Sequence, residues 1–153
     1  EDAPRGEPSA RFVAGRIEKE KLDGKVLAAK EDDAVRLRID CGEMGVLIGH
    51  RGETLDAVQY LTSLVINRNR KTEGYTRVTI NTEDYREKRE ETLRELAKKN
   101  AARVRKYGRN VVLDPMNPYE RRIIHYALQQ NEGVTTHSEG DEPNRHVVIT
   151  HKK

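Results

Sequence analysis

The chain has 153 residues, of which 36% are charged and 5% aromatic, with one cysteine, no tryptophan and a net charge of +3. That length makes one ordinary domain or two small ones around an aliphatic core, and so mild a positive excess does not by itself establish a polyanion partner. A lone Cys41 excludes an internal disulfide framework and points to a reducing, cytoplasmic setting, and no run reaches the roughly 18–20 apolar residues of a membrane span.

Residues 1–10, with two prolines and a glycine among mixed charges, read as a linker or tail. Residues 11–22 set Phe12, Val13, Ile17 and Leu22 among charges, an amphipathic helix ending near Asp23-Gly24. A short apolar strand at 25–31 and a turn at Asp32-Asp33 follow. Residues 34–41 then alternate, with Val35, Leu37, Ile39 and Cys41 on one face and Arg36, Arg38 and Asp40 on the other, which is the pattern of a half-buried strand. A short helix at 43–48 leads into Gly49-His50-Arg51-Gly52. A long helix at 53–67 follows, with Leu55, Val58, Leu61 and Val65 as its apolar run. A basic loop spans 67–74, and a strand at 75–81 turns Val78 and Ile80 inward.

The second half opens on a long charged helix at 83–106. Its stripe is narrow (Tyr85, Leu93, Leu96, Ala97, Ala101, Val104), and its charge runs from acidic to basic as a helix dipole prefers. Gly108 stops it, and a short strand follows at 110–113. Asn117-Pro118-Tyr119-Glu120 is a capping box by residue type. It opens a helix to about residue 130 that buries Ile123, Ile124, Ala127 and Leu128. Two strands close the chain, at 133–138 and 145–151. The fold expected is α+β in two small domains, with the boundary near 81–84 and the long helix either linking them or opening the second.

Two constellations carry chemistry. In the first, two glycines flank a basic pair before a long helix. The glycines let another backbone approach, Arg51 offers charge, and the positive end of the helix faces whatever lies there. Peptide N–H groups and Arg51 would meet phosphates, while Val46, Ile48 and Leu55 would wall the bases. In the second, Arg121 and His125 stand one helical turn apart at the edge of an apolar face, with Arg122 about 100° round the helix. An ordinary helix–helix turn and ordinary surface residues are the plain alternatives. No metal site is expected: there is no HExxH or paired-cysteine spacing, and His146 and His151 differ by an odd number along a strand. Cys41 reads as a small core residue.

The order helix–strand–strand–helix–GxxG–helix–strand over about 11–81 resembles a KH domain of type II, and 83–151, through Asp114 to His125, resembles the R-three-H (Arg-xxx-His) domain. A KH domain followed by an R-three-H domain is similar to the bacterial Jag/KhpB (SpoIIIJ-associated) family. The resemblance implies domains at 11–82 and 83–153. It implies single-stranded RNA beside Gly49, His50, Arg51 and Gly52, and makes 67–74 a variable loop whose Arg68, Arg70 and Lys71 contact phosphate. It also implies a second binding surface carried by Arg121 and His125. Such a protein would be a post-transcriptional regulator or RNA chaperone linked to cell-envelope or division control, not an enzyme, and would need no cofactor. Single-stranded DNA is not distinguished from RNA. The family implies a small KH-only partner. It also implies an N-terminal Jag domain, absent from this sequence, through which membrane-insertase association would run. A protein–protein adaptor and a His125-dependent ribonuclease are the competing readings.

Overall fold

The strictest alternation in the sequence, residues 34–41, forms strand β2 (Ala34–Cys41), which buries Val35, Leu37, Ile39 and Cys41. The computed structural model describes residues 8–19, 24–68 and 74–152. Within that range the chain divides into two units after Arg86. The expected end of the first helix at 20–22 and the loop cations Arg70 and Lys71 lie outside the described residues.

In the first unit β2 is the central strand, antiparallel to β1 (Gly24–Glu31) and parallel to β3 (Arg77–Asn81). A parallel pair needs a crossover. Helix α2 (Met44–Ile48), a 3-10 turn (His50–Gly52) and helix α3 (Glu53–Asn67) provide it. Together with α1 (Pro8–Lys19) they bury Val13, Ile17, Leu47, Leu55 and Val58 against the inward residues of β2 and β3. Helix α1 starts three residues before the expected position, inside the stretch read as a tail, and buries Ser9 and Ala10. Proline at a helix start gives up an N–H that would have had no partner there.

The apolar run expected on α3 is split. Leu55, Val58, Thr62 and Ile66 are buried, whereas Leu61 and Val65 are exposed, together with Tyr60 and Leu64. Thr62 takes the inward place because its hydroxyl donates to Val58 O at 2.7 Å. That leaves a second apolar stripe on the solvent side of the helix.

The second unit is built on α4 (Tyr85–Tyr107), whose first two residues still belong to the first unit. Its buried stripe is Leu93, Ala97, Asn100, Ala101 and Val104. Leu96, expected inward, is exposed, and its carbonyl accepts from the Asn100 side-chain amide at 2.9 Å. Gly108 ends the helix with φ of 64° and donates its N–H to Val104 O at 2.8 Å. The sheet has the order β4-β6-β5, with β6 (His146–His151) antiparallel to both β4 (Val111–Val112) and β5 (Val134–Glu139). Val147 and Ile149 of β6 meet Leu93, Ala97 and Val104 of α4 and Ile124 and Leu128 of α5 (Pro118–Leu128) in one core.

Helix α5 starts as its sequence demands, with the Asn117 side chain accepting from the Glu120 N–H at 2.9 Å and Pro118 next to the cap. The other half of the expected box has a different partner. Glu120 is buried, and its carboxylate accepts from Arg89 Nε of α4 at 2.8 Å. Removing one member of a buried pair strands the other charge. Arg89→Ala is therefore expected to destabilise the second unit by about 3 kcal/mol in urea unfolding. A change below about 0.5 kcal/mol would show that the pair behaves like an ordinary surface salt bridge.

Candidate nucleic-acid interface

Three of the four residues of the glycine turn have positive φ. Gly49 has φ of 68°, Arg51 53° and Gly52 85°. Both glycines are also required sterically. A Cβ on Gly49 would overlap the Thr54 hydroxyl and lie 2.7 Å from Thr54 Cβ, and one on Gly52 would lie 2.7 Å from the Tyr85 ring. The glycines thus let the loop pack on its own domain, in addition to leaving its outer side free of Cβ atoms. Arg51 adopts the left-handed region without being glycine, which costs about 1–2 kcal/mol. His50 is exposed, 3.9 Å from Glu53, and Arg51 is half-buried. Gly52 is the N-cap of α3, and no side chain caps that helix end.

The turn rests on a polar brace. Arg86 pairs with Asp56 of α3 at 2.8 Å and donates from Nε to Ile80 O at 3.1 Å. The Gln59 side-chain oxygen accepts from both the Ile80 N–H at 2.8 Å and Arg86 Nη2 at 3.2 Å. Beneath α2, the Met44 sulfur receives the Cys41 N–H and thiol, each at 3.2 Å, and the Thr82 hydroxyl at 3.3 Å.

Of the expected wall, Val46 is exposed and Ile48 half-buried, but Leu55 is only 1% exposed and belongs to the core. Arg68, exposed, follows the far end of α3. At 1.5 Å per residue, fifteen residues of helix put it about 22 Å from the turn.

In the second unit the two expected residues have different roles. Arg121 is only 8% exposed. Its Nη1 donates to Met116 O at 2.7 Å and its Nη2 to Glu142 Oε1 at 2.6 Å, so the guanidinium ties two loops together instead of standing on the surface. His125 is half-buried over the inner face of β5, with Nδ1 2.7 Å from Thr136 Oγ1 and Nε2 2.9 Å from Ser138 Oγ. Burial, then the nearby Arg121 charge, then His137, push its pKa below 6.5, so the ring is neutral at pH 7. Arg122, the outlier of the three on the sequence, is exposed. With His125, Tyr126, Asn131, Thr136 and Lys152 it lines an open groove of about 510 Å³.

Sequence reasoning missed Tyr85 under Gly52, and also Thr136 and Ser138 under His125. The hydroxyl pair had a signal in the alternation Val134-Thr136-Ser138, whereas Tyr85 had none. Among the described residues, no group of three His, Cys, Asp or Glu could hold a metal ion, and no helix is long and apolar enough to cross a membrane.

Residues 11–80 match the KH-domain model of KhpA and KhpB, and residues 91–151 match the R-three-H domain model. The protein named RNA-binding protein KhpB of Clostridium symbiosum is 56% identical over 111 residues, 72% of this chain and 49% of that one. Its namesake in Streptococcus pneumoniae is 45% identical over 117 residues, 76% of this chain and 35% of that one. The namesake in Bacillus subtilis is 41% identical over 138 residues, 88% of this chain and 65% of that one. The chain thus spans from about a third to two thirds of the length of these curated relatives.

The His125 environment makes stability depend on pH with a definite sign. Its pKa is lower folded than unfolded, so as pH falls the unfolded chain takes up the proton first. The stability carried by the neutral ring is intact above pH 6.5, the unfolded value, and is lost as pH drops through the lower folded value. Urea midpoints of the second unit at pH 7.5 and pH 5 should fall less in His125→Gln than in the parent chain. Equal losses would remove His125 as the cause.

Proposed function

Since the chain belongs to the Jag/KhpB family, with a KH domain and an R-three-H domain, we propose that it binds single-stranded RNA and performs no chemistry on it. The observation that carries this reading is the turn. Arg51 is held in a conformation that disfavours it, between two glycines and in front of a helix end with no side-chain cap. Glu83 and Asp84 also take positive φ, but of the three Arg51 alone stands between two glycines, and strain kept at such a turn is a pointer to function. In this reading backbone phosphates lie against the N–H groups of His50–Gly52 and the α3 terminus, with Arg51 supplying charge and Val46 and Ile48 meeting the bases. His50 lies alongside, Arg68 serves a more distant stretch of the strand, and the family likeness adds Arg70 and Lys71, outside the described residues, as phosphate contacts.

The second surface is the α5–β5 groove. Its neutral His125 and exposed Tyr126 offer rings for stacking, while Arg122 and Lys152 offer charge. Arg121 acts through position, fixing the Glu142 loop and lowering the His125 pKa. Two weak sites on one chain add avidity when an RNA reaches both. A role as regulator or RNA chaperone in the cytoplasm, tied to envelope or division control, follows the family. So does a small KH-only partner, for which the exposed stripe of Tyr60, Leu61, Leu64 and Val65 is a ready surface.

Filter binding to a single-stranded RNA at two salt concentrations tests the proposal. Log affinity should fall with log salt by about 0.7 for each phosphate engaged. Changing His50 and Arg51 both to Asp keeps a residue type that tolerates left-handed backbone and reverses the charge. Affinity should drop by about tenfold or more, ~1.4 kcal/mol. Binding indifferent to salt, or undiminished by the double change, would refute the proposal.

A further inference from the structure

At the C-terminal end of α4 a second groove is assembled that neither Arg121 nor His125 lines. Arg103 and Tyr107 stand one turn apart on α4, and Gly108, at φ of 64°, reverses the chain so that Arg109, Asn110 and Val111 close the other side. The groove holds about 530 Å³, and among the described residues no acidic side chain lines it. Tyr107 is 62% exposed, with Lys106 Nζ 5.2 Å from its ring centroid. Six cations (Lys98, Lys99, Arg103, Arg105, Lys106 and Arg109) fall between Ala97 and Asp114 without one carboxylate. A helix C-terminus accounts for Arg105 and Lys106 in the last turn. It does not account for Arg103 and Arg109, which form no ion pair among the described residues and flank an exposed ring.

We infer that this groove is a further single-strand subsite, holding a phosphodiester between Arg103 and Arg109 with a base stacked on Tyr107 and its edge within reach of the Asn110 amide. The inference rests on the reading that the chain binds single-stranded RNA, and extends it to a face of the second unit that the Arg121–His125 pair does not cover. Planar guanidinium groups grip phosphate through paired N–H donors, and an exposed aromatic accepts any base. The two grooves lie on either side of β6. Val111 pairs with Ile149, and Ile149 with Thr136, which lines the His125 groove. Two strand spacings, about 10 Å, separate Val111 from Thr136. At the start of β5 the Gly133 carbonyl accepts the Lys152 N–H at 2.9 Å, and the aliphatic stem of Arg105 lies against Gly133.

The test is binding of a fluorescein-labelled single-stranded RNA of mixed sequence by the whole chain, as a function of salt. The arms are the parent, Tyr107→Ala, Arg103→Gln with Arg109→Gln, and Lys98→Gln with Lys99→Gln, which removes the same charge from the same helix outside the groove. All five side chains are exposed, and thermal melting of each variant checks that the fold is retained. Tyr107→Ala, which changes no charge, should weaken binding by about tenfold. The arginine pair should lower the salt slope by about 0.7–1.4, and the lysine pair by less. A parent that binds while Tyr107→Ala is unchanged, or while the two charge pairs act alike, overturns the subsite and leaves the family reading standing. A parent that binds no RNA overturns both.

Discussion

The first unit depends on a steric constraint: backbone at Gly49 and Gly52 must run left-handed in a place where the domain leaves no room for a Cβ. Thr54 fills the space under one glycine and the Tyr85 ring the space under the other. The constraint connects every level of the unit. The parallel pairing of β2 with β3 forces a crossover, and the four residues from Gly49 to Gly52 join the two helices that make it. That turn sets Arg51 between the two glycines and starts α3 directly after it. Charge comes last: Arg86 fastens α3 to the end of β3 through Asp56, Gln59 and Ile80, and so holds in place what the glycines shape.

The second unit solves a similar positioning problem without glycine. Its histidine is held by two strand hydroxyls on the inner face of β5, and the neighbouring arginine is spent on loop carbonyl and carboxylate oxygens. In the proposed reading the neutral, half-buried ring would offer shape and a stacking surface, and Arg122 and Lys152, which line the same groove, would attract a phosphate. Separating the two functions avoids placing an unpaired charge in a partly desolvated site, where it would be costly.

Local periodicity made most of this fold legible in the sequence. The alternation of 34–41, the Asn-Pro start of α5 and the Gly108 stop each rest on interactions within a few residues. What periodicity could not decide was which of two apolar stripes a helix buries. On α3 the inward place at 62 goes to threonine, whose hydroxyl is satisfied by its own helix, so a polar residue sits in the core while leucines face out. On α4 the same exchange puts Asn100 inside and Leu96 outside. The site was legible to the same degree. The glycine turn and His125 could be found from motif spacing. The burial of Arg121 could not, because its partners, Met116 O and Glu142, come from loops whose meeting is set by tertiary packing. The contacts of Arg86 and of the Tyr85 ring were invisible for the same reason.

The Tyr85 ring beneath Gly52 bears on how separable the modules of this protein are. The last strand of the KH fold ends at Asn81, and the match to the KH-domain model ends at residue 80, yet the ring under Gly52 is Tyr85 and the guanidinium that fastens α3 is Arg86, both in the opening turn of the next helix. The natural seam of the chain therefore lies inside a helix and not in the loop before it. A shuffled or transplanted KH module cut at its last strand would carry its motif intact and leave behind the ring and the guanidinium that give the motif its shape. Modularity read from sequence likeness and modularity read from packing differ here by one helical turn.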